Sequence, residues 1–334
     1  MPVKLAINGF GRIGRAAFKI AFDNPQLEIV AINDLTEVDG LAYLLKHDTV
    51  YGLYEKDVTV GDKTLVVAGR SVKVLGEKDP ANLPWAALGV DVVLECTGRF
   101  TKDGAAKAHI QAGAKKVIVS APTKGSGGVQ TFLKGANHDQ YIGQNVISNA
   151  SCTTNCIAPV ISVVHKKFGI IKSVMTTVHA ITSSQNLVDG PVSSGDFRRA
   201  RAAGYNIVPT TTGAAIAAAE AIPDLKGKFD GVSLRVPVAV GSICDITMLV
   251  EKKTTVDEVN KAFVEAKDNF FYENVLAVAT EPIVSSDIIK SPYSAIVDLA
   301  MTKVVDGDLV KVMAWYDNEW GYSSRLVDMA LMII

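Results

Sequence analysis

The sequence predicts an α/β protein of two domains. Residues 1–150 form a dinucleotide-binding domain on a parallel sheet, and residues 151–318 form an α+β domain on a mixed or antiparallel sheet. The last helix, 319–334, is expected to pack back on the first domain. Three observations lead there. Short apolar runs alternate with helical patterns through the first part of the chain. The first run enters Gly9-Phe10-Gly11-Arg12-Ile13-Gly14. Beyond Cys156 strand patterns adjoin one another directly, which favours a mixed or antiparallel sheet with helices on one face.

Val3 to Asn8 is the first strand pattern, followed at once by the glycine triplet and by a helical pattern from Arg15 to Phe22. Strand, Gly-x-Gly-x-x-Gly, helix is the context the Rossmann fingerprint requires. Gly9 gives the tight turn, Gly11 admits a pyrophosphate to the backbone, and Gly14 lets the helix pack on the sheet. Leu27 to Asn33 is a second parallel strand ending in Asp34. That acid stands about 20 residues past Gly14, where a carboxylate binds the adenine-ribose hydroxyls.

A short helix is expected over Leu41 to Lys46, then β-rich segments at Val58 to Val60, Thr64 to Val67 and Val72 to Leu75. Val90 to Glu95 returns to the parallel pattern, Gly104 to Ala114 reads as a helix, and Lys116 to Ser120 and Asn145 to Ser148 as strands. Thr97, Gly98 and Ser120 thus fall at carboxyl ends of strands, where open α/β sheets bind ligands; a plain loop role fits each of them equally.

In the second half the strand patterns are Lys172 to His179, Val232 to Val238, Ser242 to Val250, Ala295 to Met301 and Leu309 to Tyr316. Helical patterns cover Gly213 to Ala221, Val256 to Asp268 and Glu319 to Met332. Ser183 to Pro209 has little periodicity, and a loop that long in a compact domain is usually functional or an interface.

At 334 residues the chain can bury two cores. A net charge of −1, from 34 Lys and Arg against 35 Asp and Glu, gives no global basic field for nucleic acid or an anionic membrane. A strand pattern from Val3 and the lack of any run near the roughly 18 apolar residues of a spanning helix point to a cytoplasmic protein. Four cysteines are too few for a disulfide framework. Cys152 and Cys156 stand at i and i+4, about 5–6 Å apart at Cβ in a helix against the roughly 3.5–4.5 Å of a disulfide. No metal site is expected, because no further Cys or His falls at zinc-ligand spacing.

The chemistry centres on Asn149-Ala150-Ser151-Cys152-Thr153-Thr154-Asn155-Cys156, between a strand and the helical run Ile157 to Phe168. A helix is expected to begin at or beside Cys152 with Ser151 as N-cap, and unpaired helix-end amides stabilise a thiolate and attract anions. Both effects are expected to lower the thiol pKa. The bland reading is a polar turn with a small buried Cys. His179 ends the next strand, and a βα unit returns its chain to the same sheet edge, so His179 is expected beside Cys152. A Cys–His pair supplies a nucleophile and an acid/base. The other four histidines, His47, His109, His138 and His165, lack such context.

Anion ligands also cluster. Thr182 follows His179; Arg198 and Arg199 sit in the long loop; Thr210-Thr211-Thr212-Gly213 precedes an Ala-rich helix; and Arg235 lies in an otherwise apolar strand. A buried guanidinium needs an anion, either a ligand or a structural carboxylate. Together these suggest a phosphorylated aldehyde and a second, phosphate-like anion.

Over essentially its whole length the sequence resembles the phosphorylating glyceraldehyde-3-phosphate dehydrogenases. The resemblance rests on Ala6 to Arg15, Asn33 to Thr36, Cys96 to Phe100, Ala150 to Cys156, Thr176 to Ala180, Arg198 to Ala203, Pro209 to Ala215, Arg235 to Pro237 and Trp315 to Ser323. It implies a glycolytic, NAD-dependent conversion of glyceraldehyde 3-phosphate and inorganic phosphate to 1,3-bisphosphoglycerate, in a homotetramer. Cys152 would be the nucleophile and His179 its base. Thr182, Arg199 and Arg235 would hold the substrate phosphate, and Ser151, Thr153, Thr212 and Gly213 the attacking phosphate. For the cofactor it implies Gly9, Gly11, Arg12, Ile13, Gly14, Asp34, Lys78, Thr97, Gly98, Ser120, Asn318 and Tyr322. The sequence departs from the family pattern at Ile216, at Val238-Ala239-Val240, at Ser183-Ser184 and at Gly190, and its long loop is one residue longer. Two other readings are a dehydrogenase of another phosphorylated aldehyde, such as erythrose 4-phosphate, and a nucleotide-binding redox sensor using Cys152 and Cys156.

Overall fold

The computed structural model describes residues 1–192 and 195–334, so the middle of the long 183–209 stretch lies outside the described residues. The chain divides into two compact units. The first comprises Met1–Phe132, Asp139–Ala150 and Ser323–Ile334, and the second Leu133–His138 and Ser151–Tyr322.

In the first unit the elements run β1 (Val3–Asn8), α1 (Arg12–Phe22), β2 (Leu27–Asn33), α2 (Val38–Lys46), β3 (His47–Asp48), β4 (Gly52–Leu53), β5 (Val58–Gly61), β6 (Thr64–Val67) and β7 (Arg70–Leu75). They continue through α3 (Trp85–Leu88), β8 (Val92–Glu95), α4 (Ala108–Gln111), β9 (Lys116–Val119), β10 (Gln130–Thr131) and β11 (Val146–Ser148). Among the described residues nine strands form one sheet in the order β10-β11-β9-β8-β1-β2-β7-β6-β5. Pairing is parallel from β10 to β7, and β7, β6 and β5 close the edge as antiparallel neighbours. The runs are apolar on both faces because both are covered: Leu5, Ala6, Ile7, Val92, Val93 and Leu94 are all fully buried. The expected helix over Gly104 to Ala114 is instead a 3₁₀ turn, Ala105–Lys107, followed by the single α-turn of α4. Gly104 enters it in a left-handed conformation, and Gly113 leaves it at φ +100°, packed on Ala86.

The second unit contains α5 (Cys152–Phe168), β12 (Ile170–His179), β13 (Val208–Thr211), α6 (Ala214–Ala221), β14 (Phe229–Arg235), β15 (Ser242–Val250), α7 (Val256–Lys267), β16 (Leu276–Ala279), β17 (Ala295–Asp298), β18 (Lys303–Val305) and β19 (Leu309–Tyr316). The closing helix α8 (Trp320–Met332) continues from it into the first unit. Among the described residues its sheet runs β13-β14-β12-β15-β19-β17-β16, with β18 on β19. The sheet is mixed: β12–β14 and β16–β17 are parallel and the rest antiparallel. β14 stops at Arg235, short of the expected Val238, because Pro237 lacks a backbone donor. β13 and β16 arise where periodicity gave no signal.

Helices α5, α6 and α7 pack on one face of this sheet. Strand alternation puts Ser173, Met175, Thr177 and His179 of β12 on that face, buried, with Cys244 and Ala314 from β15 and β19. The opposite face carries Val174 at 62% and Val232 at 51% exposure.

Candidate active site

Cys152 is the first residue of α5. Ser151 caps the helix, its Oγ accepting the Thr154 N–H at 3.1 Å, and Ala150 delivers the chain into that cap in a left-handed conformation, φ +50°. The expectation that the helix begins at the thiol therefore holds in the structure. Pro159 lies inside α5 without ending it.

Cys152 Sγ lies 3.5 Å from His179 Nε2. His179 Nδ1 is 2.7 Å from the carbonyl oxygen of Ala180, a separation that only an N–H donor makes favourable. Nδ1 therefore carries the proton, and Nε2 presents its lone pair to the thiol. Arg235 sits beside the ring: its Nη1 is 3.1 Å from His179 Nδ1 and donates to Ala180 O at 3.2 Å and Thr182 Oγ1 at 3.3 Å. Its Nε is buried without a partner, and no carboxylate pairs with it among the described residues. The parallel register that sets His179 opposite Arg235 comes from β12 and β14.

The protonation states correct one expectation from the sequence. Burial pushes the Cys152 thiol up to about 11, opposed by the Arg235 charge and by hydrogen bonding from Thr153. Burial together with Arg235 pushes His179 down to about 3. The resting pair is thus neutral thiol and neutral imidazole. Although Cys152 as a residue keeps intermediate exposure, burial of its sulfur outweighs the Arg235 charge and the Thr153 donors in the first turn of α5, so the expected lowering of its pKa does not occur.

Behind the pair, the Tyr316 hydroxyl meets Thr153 Oγ1 at 2.9 Å and Thr177 Oγ1 at 2.8 Å, tying the first turn of α5 to β12. Asn318 is oriented by its surroundings. The Gly241 N–H, which can only donate, reaches Asn318 Oδ1 at 3.1 Å, and Ser242 Oγ reaches it at 3.0 Å. Nδ2 is left as the group free to donate. Ser242 Oγ also accepts the Ala180 N–H at 3.1 Å, so one chain of bonds runs from the base to this amide.

The anion residues are less tightly gathered. Thr182 lies beside Arg235, while Arg199 is held by Thr210 Oγ1 at 3.0 Å and faces Asp196. Thr212 accepts the Ala214 N–H at the start of α6, and β13 runs antiparallel to β14 so that Thr211 pairs with Val232, away from Arg235. Among the described residues, Thr212 and Gly213 make no hydrogen bond to Cys152, Ser151 or Thr153. Ile216 is exposed on α6, and the Val238 carbonyl accepts from Ile181. Cys156 is buried, with Sγ on the Ala314 carbonyl, and is not among the groups facing His179.

In the first unit the glycines fit a dinucleotide. A Cβ on Gly9 would lie 2.8 Å from the Thr97 nitrogen, and one on Gly14 would collide with the Gly9 carbonyl, whereas nothing lies within 4 Å of the Cβ position on Gly11. The Gly11 backbone is therefore open to the close approach of a pyrophosphate at the start of α1. The Arg12 guanidinium is turned to Asp48 at 2.6 Å and lies over Tyr51, so the Arg12 and Ile13 amides are what α1 offers an anion. Asp34 accepts from the Phe10 N–H at 2.7 Å and the Thr36 N–H at 3.0 Å. Partial burial raises its pKa, but the Phe10, Thr36 and Leu35 donors outweigh that and hold the carboxyl below its usual range. Thr97, Gly98 and Ser120 follow the ends of β8 and β9, and Lys78 is exposed after β7. Tyr322 is buried on α8.

Sequence reasoning missed Tyr316 and Ser242. The period-2 alternation of β19 places Tyr316 on the face of Ala314, and that was the available signal. It also left His109 unassigned, although His109 lies fully buried against Glu95.

Residues 3–103 match the family described as glyceraldehyde 3-phosphate dehydrogenase, NAD binding domain, and residues 151–318 the corresponding C-terminal domain. The chain is 50% identical over 335 residues to the glyceraldehyde-3-phosphate dehydrogenase of Geobacillus stearothermophilus, covering 100% of this chain and 98% of that protein. It is 48% identical over 336 residues to that of Streptomyces coelicolor, covering 100% and 99%. It is 50% identical over 341 residues to that of Mycobacterium leprae, again covering 100% and 99%.

Proposed function

The chain belongs to the glyceraldehyde-3-phosphate dehydrogenase family, and from that premise we propose that it is the NAD-dependent enzyme converting glyceraldehyde 3-phosphate and inorganic phosphate to 1,3-bisphosphoglycerate. The observation that carries this reading is the 3.5 Å approach of His179 Nε2 to Cys152 Sγ beside a guanidinium with an unpartnered Nε. His179 Nε2 takes the thiol proton as Sγ bonds to the aldehyde carbon, and the developing oxyanion is met by the Cys152 backbone N–H. Protonation of that oxygen by His179 gives a hemithioacetal. His179 then removes the hydroxyl proton as this carbon gives up a hydride, which bound NAD would accept, leaving a thioester on Cys152. An oxygen of inorganic phosphate attacks the thioester, the C–S bond breaks, and His179 returns the proton to sulfur.

Residues 1–150, with the helix of 319–334, are assigned to the cofactor and residues 151–318 to catalysis. Gly9, Gly11, Arg12, Ile13, Gly14, Asp34, Lys78, Thr97, Gly98 and Ser120 bind the dinucleotide; Asn318 takes the nicotinamide carboxamide through Nδ2, and Tyr322 packs on its ring. Thr182, Arg199 and Arg235 bind the substrate phosphate. Ser151, Thr153, Thr212 and Gly213 bind the attacking phosphate, with the Ser151 and Thr153 hydroxyls shared with their structural partners. The test is NADH formation from glyceraldehyde 3-phosphate with and without phosphate. Sustained turnover that requires phosphate is expected; turnover unaffected by phosphate would make water the acceptor and overturn the reading.

The protein is further assigned to the cytoplasm as a homotetramer. No helix among the described residues is long and apolar enough to cross a membrane. The bare sheet face with Val174 and Val232, and the exposed Leu187, Val188, Phe197 and Tyr205 of the long loop, support burial between subunits. Sedimentation equilibrium at a single-chain mass would refute the tetramer.

A further inference from the structure

The dinucleotide turn rests on a buried polar network that no cofactor contact explains. Glu95 closes β8 at 1% exposure, and His109 is 0% exposed. The Glu95 carboxylate receives His109 Nε2 at 3.0 Å, the Asn8 amide at 2.5 Å and the Thr97 backbone N–H at 2.8 Å, with the Thr97 hydroxyl against the same oxygen. Trp85 Nε1 donates to His109 Nδ1 at 3.0 Å. An indole nitrogen can only donate, so Nδ1 carries no proton. His109 is therefore a neutral imidazole that aims its one N–H at Glu95. No cation enters the network among the described residues, so an acid has been taken out of water without a countercharge. Such burial is costly unless every lone pair is used.

What the carboxylate gathers explains its presence. Asn8 immediately precedes Gly9. Asn33 immediately precedes Asp34 and donates to Asn8 Oδ1 at 2.7 Å. Thr97 lies against Gly9 so closely that a Cβ there could not fit. The glycine turn, the ribose acid and the Thr97-Gly98 loop are thus each tied, directly or through one side chain, to Glu95.

We propose that Glu95 and His109 are positioning residues that set NAD affinity by locking these three segments into one frame, without touching the cofactor. The proposal rests on the assignment of Gly9, Asp34 and Thr97 to the dinucleotide. Glu95→Gln puts an amide NH2 among groups that are themselves donors. Its NAD Kd by calorimetry and its NAD KM should rise by about tenfold, as for loss of a hydrogen bond to a charged group. Its kcat at saturating NAD, its aldehyde KM and the alkylation rate of Cys152 should stay within about twofold, the split that separates cofactor binding from chemistry. Trp85→Phe keeps a ring in the core while removing the N–H that fixes the His109 tautomer, and should move NAD affinity in the same direction by a smaller factor. Asp34→Asn serves as the direct-contact control. If Asp34→Asn weakens NAD while both folded network variants bind like wild type, the positioning role is overturned. If none of the three changes NAD affinity, the cofactor assignment itself fails and the proposal with it. If both network variants fail to fold, or lose thermal stability with NAD affinity unchanged, the network is structural only and the proposal is again overturned.

Discussion

His109 and His179 are both sealed from water, at 0% and 3% exposure, and each lies within 3.5 Å of an ionisable partner. Around His109 every polar atom has a fixed protein partner: Trp85 on Nδ1 and Glu95 on Nε2. Around His179 the lone pair of Nε2 points at a thiol, and the neighbouring Arg235 keeps an unpartnered Nε. A network whose valences are all filled can hold a frame but has nothing to exchange, whereas one with open valences in a dry setting is ready to move a proton and grip an anion. Burial and a titratable pair do not by themselves mark chemistry; the unfilled positions do.

The comparison is sharpened most by Cys152→Ser, which should lower NADH formation by about 10⁴-fold or more while NAD affinity stays near wild type, since a hydroxyl is a much poorer nucleophile. Cys156→Ser should change turnover only slightly; loss of activity with the fold intact would move the nucleophile one helical turn along. Next, His179→Asn should slow acylation by about 10²–10⁴-fold and slow iodoacetamide alkylation of Cys152 in parallel; unchanged thiol reactivity would show that the helix end activates the cysteine alone.

The same variant has a thermodynamic signature. Because burial and Arg235 depress His179 from 6.5 to about 3, the unfolded chain binds a proton in that interval that the native chain does not. Wild-type stability should therefore fall as pH drops below about 6.5, by roughly 2 kcal/mol from this group between pH 7 and 5 at about 1.4 kcal/mol per pKa unit. His179→Asn should lose less stability over that range in urea titrations, and equal losses would exclude His179 as the source.

Smaller effects are expected where single contacts are removed. Arg235→Leu should raise the KM for glyceraldehyde 3-phosphate by about tenfold, and that for unphosphorylated glyceraldehyde by less. Equal increases for the two aldehydes would make Arg235 structural, like the groups around His109. Wild type should prefer NAD to NADP by at least about tenfold in kcat/KM, roughly 1.4 kcal/mol, because Asp34 would face a 2′-phosphate. Asp34→Gly should narrow that gap; a gap unmoved would place cofactor choice elsewhere.

Much of this was legible in the chain. The glycine triplet with its flanking strand and helix identified the sheet and the tight turn that opens α1, because those residues act through local geometry. Cys152 and His179 could be paired because one βα unit joins them. What the sequence concealed depends on contacts between distant segments. Glu95 and His109 look like an ordinary strand end and an ordinary helix residue until folding brings them together. The thiol pKa was misjudged for the same reason: a helix terminus is visible in a sequence, but the amount of water excluded around a sulfur is not. The short β13 and β16 carry too few residues to show a period, and their pairing partners decide them.

The sheet of the second unit has helices on one face and residues such as Val174 and Val232 open on the other. If subunits supply the missing layer, the margin of stability becomes a property of the protein's concentration as much as of its sequence. Melting temperature should then drop on dilution, and newly made chains would pass through an interval, lengthened when synthesis is slow, in which the sheet face bearing Val174 and Val232 is open to other surfaces. Abundance would protect such a chain, because finding its own kind quickly is what ends the exposure.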